Sequence, residues 1–263
     1  TVAYVHSPAR WAWDRSMRAD EADSWAGRRA LDALSRVAIN TERAAAPRIT
    51  TIVANSHAVA QRIARRWGRE AQVVHPPVDI DFYTPATEAR EDYFLLPGRL
   101  VPYKRPDIAI RAAVRAGVPL VVAGDGREAA KCRSLADGGD VTFLGRVSDE
   151  ELRTLYRRAK ATLMPGEEDF GITPVEAMAC GTPVIALGVG GAKDSVVENV
   201  TGSFINGADD EEVVRNFADT LAAFDGTRFD PAAIGRHAQT FSREAFRRNM
   251  ADVVSRTVEH ANP

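Results

Sequence analysis

Residues 161–187 read Ala161-Thr-Leu-Met-Pro165-Gly-Glu-Glu168-Asp-Phe-Gly-Ile-Thr-Pro-Val-Glu176-Ala-Met-Ala-Cys180-Gly-Thr-Pro-Val-Ile-Ala-Leu187. Two short apolar runs, Ala161 to Met164 and Pro183 to Leu187, bound a loop and a helix-forming segment. That order is strand, loop, helix, strand, the βαβ unit of a parallel sheet. Thr173 reads as the N-cap of the helix, with Pro174 at its first position. Glu176 then falls in the first turn and Glu168 on the loop before it. Two readings of Glu176 follow. Thr173-Pro-Val-Glu176 matches a capping box, in which the carboxylate satisfies backbone donors. Alternatively, the helix N-terminus with its unpaired N–H groups receives a phosphate, and the two carboxylates grip hydroxyls on either side of it.

The alternation continues outward along the chain. Candidate strands are Thr1–Val5, Ile49–Ala54, Gln72–His75, Tyr93–Leu96, Leu120–Ala123 and Val141–Leu144. Arg105–Ala116, Glu150–Ala159 and Glu211–Phe224 have helical periodicity between strands. The expectation is an α/β protein with doubly wound parallel sheets. Two consecutive prolines in His75-Pro76-Pro77-Val78-Asp79 disfavour helix and sheet alike and mark an extended linker. The chain is accordingly divided into residues 1–78, residues 79–240 and a terminal helical segment, 241–263.

Composition narrows the function classes. The 263 residues are 45% hydrophobic and 27% charged with a net charge of −2, ample for one large or two small cores and without the basic excess of a nucleic-acid binder. Cys132 and Cys180 have no metal-ligand spacing, so neither a disulfide framework nor zinc is implied and a reducing compartment is the default. No apolar run reaches the ~18–20 residues of a membrane span and no signal peptide is seen; the expected location is cytoplasmic. The one dense basic run, Arg62-Ile-Ala-Arg-Arg-Trp-Gly-Arg69, is a solvated helix face or, alternatively, a peripheral contact with an anionic membrane.

Leu96-Pro-Gly-Arg99-Leu-Val-Pro-Tyr-Lys104-Arg105-Pro106 follows one strand and precedes a helix. Ligands of open α/β sheets bind beyond the carboxyl ends of strands, where two cations can neutralise a diphosphate. Gly124-Asp-Gly126 is a turn after a strand, and Leu144-Gly-Arg146-Val147 ends the next. Gly188-Val-Gly190-Gly191-Ala-Lys193 is not a dinucleotide fingerprint, because Lys193 stands where the third glycine belongs; this weighs against a Rossmann oxidoreductase. Asp79-Ile-Asp81 has a metal-binding spacing but sits in the linker, and turn chemistry accounts for it. His6 ends the first strand, and Asn55-Ser56 reads as a helix cap.

The string from Glu168 to Ala186 closely resembles the Glu-x7-Glu signature of retaining nucleotide-sugar glycosyltransferases of family 4, which have the GT-B fold. Gly98-Arg99-Leu-Val-Pro-Tyr-Lys104 is similar to the Gly-Arg-Leu-x-x-x-Lys motif of the same family, and the wording Gly-Glu-Glu-Asp-Phe-Gly-Ile comes closest to bacterial mannosyltransferases of polysaccharide synthesis. The resemblance implies a nucleotide diphosphate sugar donor, GDP-mannose favoured, and a glycan or lipid-linked acceptor, with no metal and no further cofactor. It assigns sugar hydroxyls to Glu168, the ribose to Glu176, and the diphosphate to Arg99 and Lys104. Asp169 and the Phe170, Gly171 and Ile172 amides would approach sugar and phosphate, with Gly124, Arg146 and Val147 around the nucleotide. His6, in Tyr4-Val-His-Ser-Pro-Ala-Arg10, resembles the histidine facing the donor sugar. The family usually carries Leu-Glu where this chain has Lys193-Asp194. By the same resemblance, residues 1–78 correspond to the second half of an N-terminal domain, whose first half would be on the order of a hundred residues. The alternative for the chain as given is a nucleotide-sugar-binding module without turnover.

Overall fold

The computed structural model describes residues 1–18, 24–86 and 89–261. They form two compact units, Thr1–Pro76 with Phe246–Pro263, and Pro77–Ala245.

The first unit contains β1 (Val2–Val5), α1 (Arg10–Trp13), α2 (Trp25–Ala45), β2 (Thr51–Ala54), α3 (His57–Trp67) and β3 (Gln72–Val73). The strands are parallel in the order β1-β2-β3. Side chains of a strand alternate between faces. Ile52 and Ala54 therefore pack with Val59 and Ile63 of α3, while Val53 joins Val74 and Val253 of the terminal helix on the other side. Ser56 caps α3 by accepting from the Val59 N–H at 3.1 Å, and Gly68 ends it in the left-handed region at φ 65°. Glu42 of α2 accepts from the Ala9 amide at 2.8 Å and from the indole N–H groups of Trp13 and Trp67 at 2.6 and 3.0 Å.

The basic run Arg62–Arg69, on α3 and the turn after it, is only partly a solvated face. Arg62 is buried, Arg66 pairs with Asp14 at 2.7 Å, and Arg69 donates to the carbonyls of Ala46, Ile49 and Thr50. Three of its four arginines are engaged within the first unit, and Arg65 is exposed.

The second unit holds β4 (Phe94–Pro97), α4 (Pro106–Ala116), β5 (Leu120–Ala123), α5 (Ala129–Leu135), β6 (Val141–Gly145), α6 (Asp149–Arg158), β7 (Thr162–Met164), α7 (Ile172–Ala179), β8 (Val184–Leu187), α8 (Ala192–Ser195), β9 (Gly202–Ile205), α9 (Asp210–Ala222) and α10 (Pro231–Ala238). The terminal helix α11 (Arg243–Ala261) runs on into the first unit; residues 262–263 of the sequence-derived terminal segment lie outside the described residues. The sheet order is β6-β5-β4-β7-β8-β9, all parallel. It is covered on both faces: Leu95 enters one core with Tyr156, Val175 and Met178, and Phe94 and Leu96 enter the other with Ile108, Ile110 and Phe217. Both faces being buried, the strands read as continuous apolar runs.

Because every strand is parallel, all the strand-to-helix loops lie along one edge of the sheet. The chain starts at β4, winds outward through β5 and β6, then restarts on the other side with β7. The crevice between β4 and β7 is the point where winding reverses, and ligands of doubly wound sheets bind at that place. Asp79, expected in a turn, accepts from the Phe82 N–H at 3.3 Å and pairs with Arg243 at 2.7 Å. No helix among the described residues is long and apolar enough to cross a membrane.

Candidate functional site

The loop after β4 carries both diphosphate candidates, and its neighbour shapes it. A side chain at Gly124 would overlap the Gly98 carbonyl, and one at Gly126 the Leu100 carbonyl. The two loops press together backbone to backbone, with the Leu100 N–H donating to Asp125 O at 3.0 Å. Gly124 thus acts through space it does not fill. Arg99, exposed at the loop tip, donates to the Tyr103 hydroxyl at 3.0 Å. The helix expected from Arg105 begins at Pro106, because Arg105 takes a left-handed conformation, φ 53° and ψ 46°. Its guanidinium is held in a fork by Asp210 of α9, at 3.0 and 2.8 Å, and also by Asp107. These carboxylate bonds push its pKa up, against the opposing effect of burial.

The loop after β7 approaches from the other side of the crevice. A Cβ on Gly166 would lie 2.6 Å from Tyr103 O and 2.7 Å from Lys104 Cα, so only glycine permits this approach. The result is a contact between residues 64 apart: Lys104 Nζ donates to Glu168 Oε1 at 2.5 Å. Both side chains are mostly shielded, 23% and 20% exposed. From behind, the Gly191 N–H donates to Glu168 O at 2.8 Å. A side chain at Gly191 would overlap the backbone of Phe170, and one on Gly190 would come 2.5 Å from Glu168 O. The glycines that failed as a dinucleotide fingerprint are a backing plate for the carboxylate loop.

The helix start differs from the expected one. α7 begins at Ile172, its N-cap is Gly171 at φ 86°, and no side chain caps it. Thr173 and Pro174 lie inside the first turn, so the capping box does not form. Gly171 is required there by its positive φ. Phe170 points inward against Phe241, ring centroids 5.5 Å apart, so its side chain belongs to the core; Asp169 beside it is partly buried.

Glu176 faces inward. Its Oε2 accepts from the Tyr156 hydroxyl at 3.1 Å. Burial raises its pKa; the Tyr156 bond lowers it and the Asp149 charge raises it further. Tyr83 packs edge-on to Tyr156 at 5.8 Å. Arg146 and Val147, in the loop after β6, line an open cavity of about 490 Å³ with Leu144, Glu150, Glu151, Thr154 and Leu155. His6 lies in the first unit, exposed at the end of β1 with its ring edge-on to Tyr4 at 5.3 Å.

The second unit therefore brings together Lys104 and Glu168 directly, with Arg99 on the same loop as Lys104 and Glu176 on the helix after Glu168. Arg105, Asp210 and Tyr156 are additions that sequence reasoning missed. Tyr156 shows in the chain only as one apolar position of a helical period, with no signal for the direction of its hydroxyl.

The family model described as "Glycosyl transferases group 1" matches residues 80–223. The D-inositol 3-phosphate glycosyltransferase of Mycolicibacterium smegmatis is 35% identical over 219 residues, covering 73% of this chain and 49% of that protein. The Mycobacterium avium protein of the same name is 36% identical over 241 residues, covering 81% and 52%. The chain spans about half the length of the curated relatives it matches. Among solved structures, Anabaena Alr3699/HepE in complex with UDP aligns with a TM-score of 0.72 at 22% identity, covering 97% of this chain and 71% of that one. Sucrose-phosphate synthase from Thermosynechococcus elongatus gives 0.72 at 22%, covering 98% and 68%. At such identities the likeness is one of fold.

Proposed function

The chain belongs to the glycosyl transferases group 1 family and has the α/β GT-B fold of its solved neighbours, and on that premise we propose that its Pro77–Ala245 unit binds a nucleotide diphosphate sugar whose hexose the whole protein transfers to a hydroxyl acceptor. The observation that carries this reading is the Lys104–Glu168 contact at the β4/β7 crevice. It puts a phosphate-seeking cation beside a hydroxyl-seeking carboxylate, next to the N-terminus of α7. Arg99 and Lys104 take the diphosphate. Glu168 takes sugar hydroxyls, with the main chain of Phe170, Gly171 and Ile172 close to sugar and phosphate. Glu176 takes the ribose, and the base lies toward Arg146 and Val147.

Departure of the diphosphate builds negative charge on its terminal oxygen. Two fixed cations and the positive end of α7 stabilise that charge without reorganising. Retention of configuration, with attack from the leaving-group face, is what the family resemblance adds. No metal enters this scheme, so transfer by full-length protein is expected to survive chelator; abolition by chelator with rescue by manganese or magnesium would reject it.

The motif wording favours GDP-mannose. The neighbour structures hold UDP or UDP-glucose, which makes the base the first thing to test. For the acceptor, a glycan or lipid-linked hydroxyl stands beside a phosphorylated polyol, since the relatives are named for D-inositol 3-phosphate. The test is a thermal-shift panel of GDP-mannose, UDP-glucose and ADP-glucose, because stabilisation tracks affinity for the folded state. GDP-mannose should stabilise most. A larger shift with UDP-glucose would overturn the donor but keep the class, and no shift with any would overturn the class. Binding with no transfer or hydrolysis by the full-length protein would leave a binding module in place of an enzyme.

A further inference from the structure

We propose that Tyr156 is a positioning residue for nucleotide binding, acting through Glu176: its hydroxyl fixes the carboxylate in the orientation that meets the ribose. The inference rests on the reading of Glu176 given above and adds a residue that neither the motifs nor the comparisons assign.

Tyr156 is wholly buried, at 0% exposure. A buried phenol hydroxyl needs a partner, and this one has Glu176 Oε2 at 3.1 Å. An ionised carboxylate can only accept, so the direction of the bond is settled: Tyr156 donates. Ring and main chain each have a fixed neighbour: Tyr83 is packed edge-on against the ring at 5.8 Å and 71°, and the main-chain carbonyl of Tyr156 accepts from the Thr182 hydroxyl at 2.6 Å. The tyrosine comes from α6 and the glutamate from α7. One carboxylate oxygen is thereby tied to a rigid neighbouring helix, while among the described residues no donor meets Oε1. A carboxylate held by one oxygen, with the other open, suits a ligand that brings its own hydroxyl donors.

The bond also affects protonation. The groups around Glu176 are Tyr156 and Asp149 of α6, Tyr83 from the segment before β4, and Cys180 at the end of α7. Arg90, Arg153 and Arg157 act on Cys180, while the charge acting on Glu176 is that of Asp149. Among the side chains of the described residues, the Tyr156 hydroxyl is the group that favours the ionised form. A purely structural Tyr156 would pack equally well as phenylalanine and leave the titration of a ligand site unmoved.

The experiment is calorimetric titration of GDP and UDP across pH 4–8 with wild type, Tyr156→Phe, Glu176→Gln and the double variant, with pyrophosphate as the ligand that lacks ribose. Tyr156→Phe is expected to weaken nucleoside diphosphate binding by about tenfold near neutral pH. It should move the acidic limb of the affinity–pH profile upward and leave pyrophosphate affinity unchanged. In the Glu176→Gln background the same change should cost nothing further, because the hydroxyl works through the carboxylate. Unchanged affinity and profile in Tyr156→Phe, with Glu176→Gln weakened, would overturn the positioning role alone. Equal loss of pyrophosphate and nucleotide binding would overturn it as a general packing defect. Full nucleotide affinity in Glu176→Gln would remove the ribose reading and this inference together.

Discussion

Lys104 and Glu168 meet at 2.5 Å, so a donor entering the crevice has to share or part an ion pair that is already formed. On the proposed reading Lys104 meets the sugar–phosphate junction as a point charge, and Arg99, exposed at the loop tip, reaches the outer phosphate. Charge-assisted hydrogen bonds contribute roughly 1.5–3 kcal/mol each. Lys104→Ala and Arg99→Ala should therefore weaken nucleoside diphosphate binding by about 10–150-fold and barely change nucleoside binding; equal losses for both ligands would place the cations elsewhere. Glu176 gives a prediction of opposite sign for fold and function. Its folded-state pKa is raised, so the native state binds the proton more tightly than the unfolded chain. The stability of the protonated form is present in acid and is lost as pH rises from the unfolded value through the raised one. Glu176→Gln should then bind nucleotide more weakly at neutral pH yet melt higher, by roughly 2–4 °C for about 1 kcal/mol. A capping box, which α7 lacks, would have given the reverse, a loss of about 1 kcal/mol; a lower Tm would show that the carboxylate itself stabilises the fold.

At the scale of elements, the site is assembled by loops that touch main chain to main chain, and glycines permit each approach. The legibility of the sequence divides along that line. Strands β4, β5, β7 and β8 were readable because a sheet buried on both faces leaves continuous apolar runs; β6, with no buried residue, showed only through its Val, Phe and Leu. The Arg99, Lys104, Glu168 and Glu176 motifs are read from their wording. What was not readable depends on partners distant in the chain. The start of α7 was misplaced because Gly171, at φ 86°, overrides the local preference of Thr173 for a cap. The long α2 was not anticipated: its buried residue is a serine, Ser35, and Glu42 near its end accepts from two indoles, so no buried apolar stripe marks it. The last strand, β9, opens on Gly202, whose missing side chain lets it lie against Val184. Two substitutions test the assembly. Gly191→Ala puts a methyl group into the backbone of Phe170, which cannot yield as a side-chain tip can. It should lower stability by roughly 1–3 kcal/mol and displace the Glu168 loop, with donor binding lost well below the melting point. Arg105→Gly accepts the positive φ but deletes the fork to Asp210, whereas Arg105→Lys keeps the strain and loses the fork. Left-handed backbone costs a non-glycine residue roughly 1–2 kcal/mol, so the glycine variant should unfold later than the lysine variant. Both should bind diphosphate more weakly than wild type, because the clamp holds the backbone beside Lys104; wild-type affinity in both would show that the clamp serves the fold alone.

On the scale of the whole molecule, the two units differ sharply in what they bury. Pro77–Ala245 has two extensive apolar cores, one on each face of a six-stranded sheet. The described residues of the other unit form three strands and two small clusters, built around Ile52 with Ile63 and around Val53 with Val253. Small cores bury a lower fraction of their chain and are correspondingly marginal. The chain passes between the units at Pro76–Pro77, where two prolines exclude regular structure, and again within α11. Heating should therefore produce two transitions, with the three-stranded unit melting first. Every group assigned to the nucleotide lies in the Pro77–Ala245 unit, and a ligand stabilises only the species that binds it, by RT ln(1 + [L]/Kd). Saturating nucleoside diphosphate, at about a hundred times Kd, should raise the upper transition by the equivalent of ~2.7 kcal/mol and leave the lower one where it was. Calorimetry with and without GDP or UDP measures both at once. A single transition that moves as a whole would show that the units unfold cooperatively, and a shift of the lower one alone would place the nucleotide in the wrong unit.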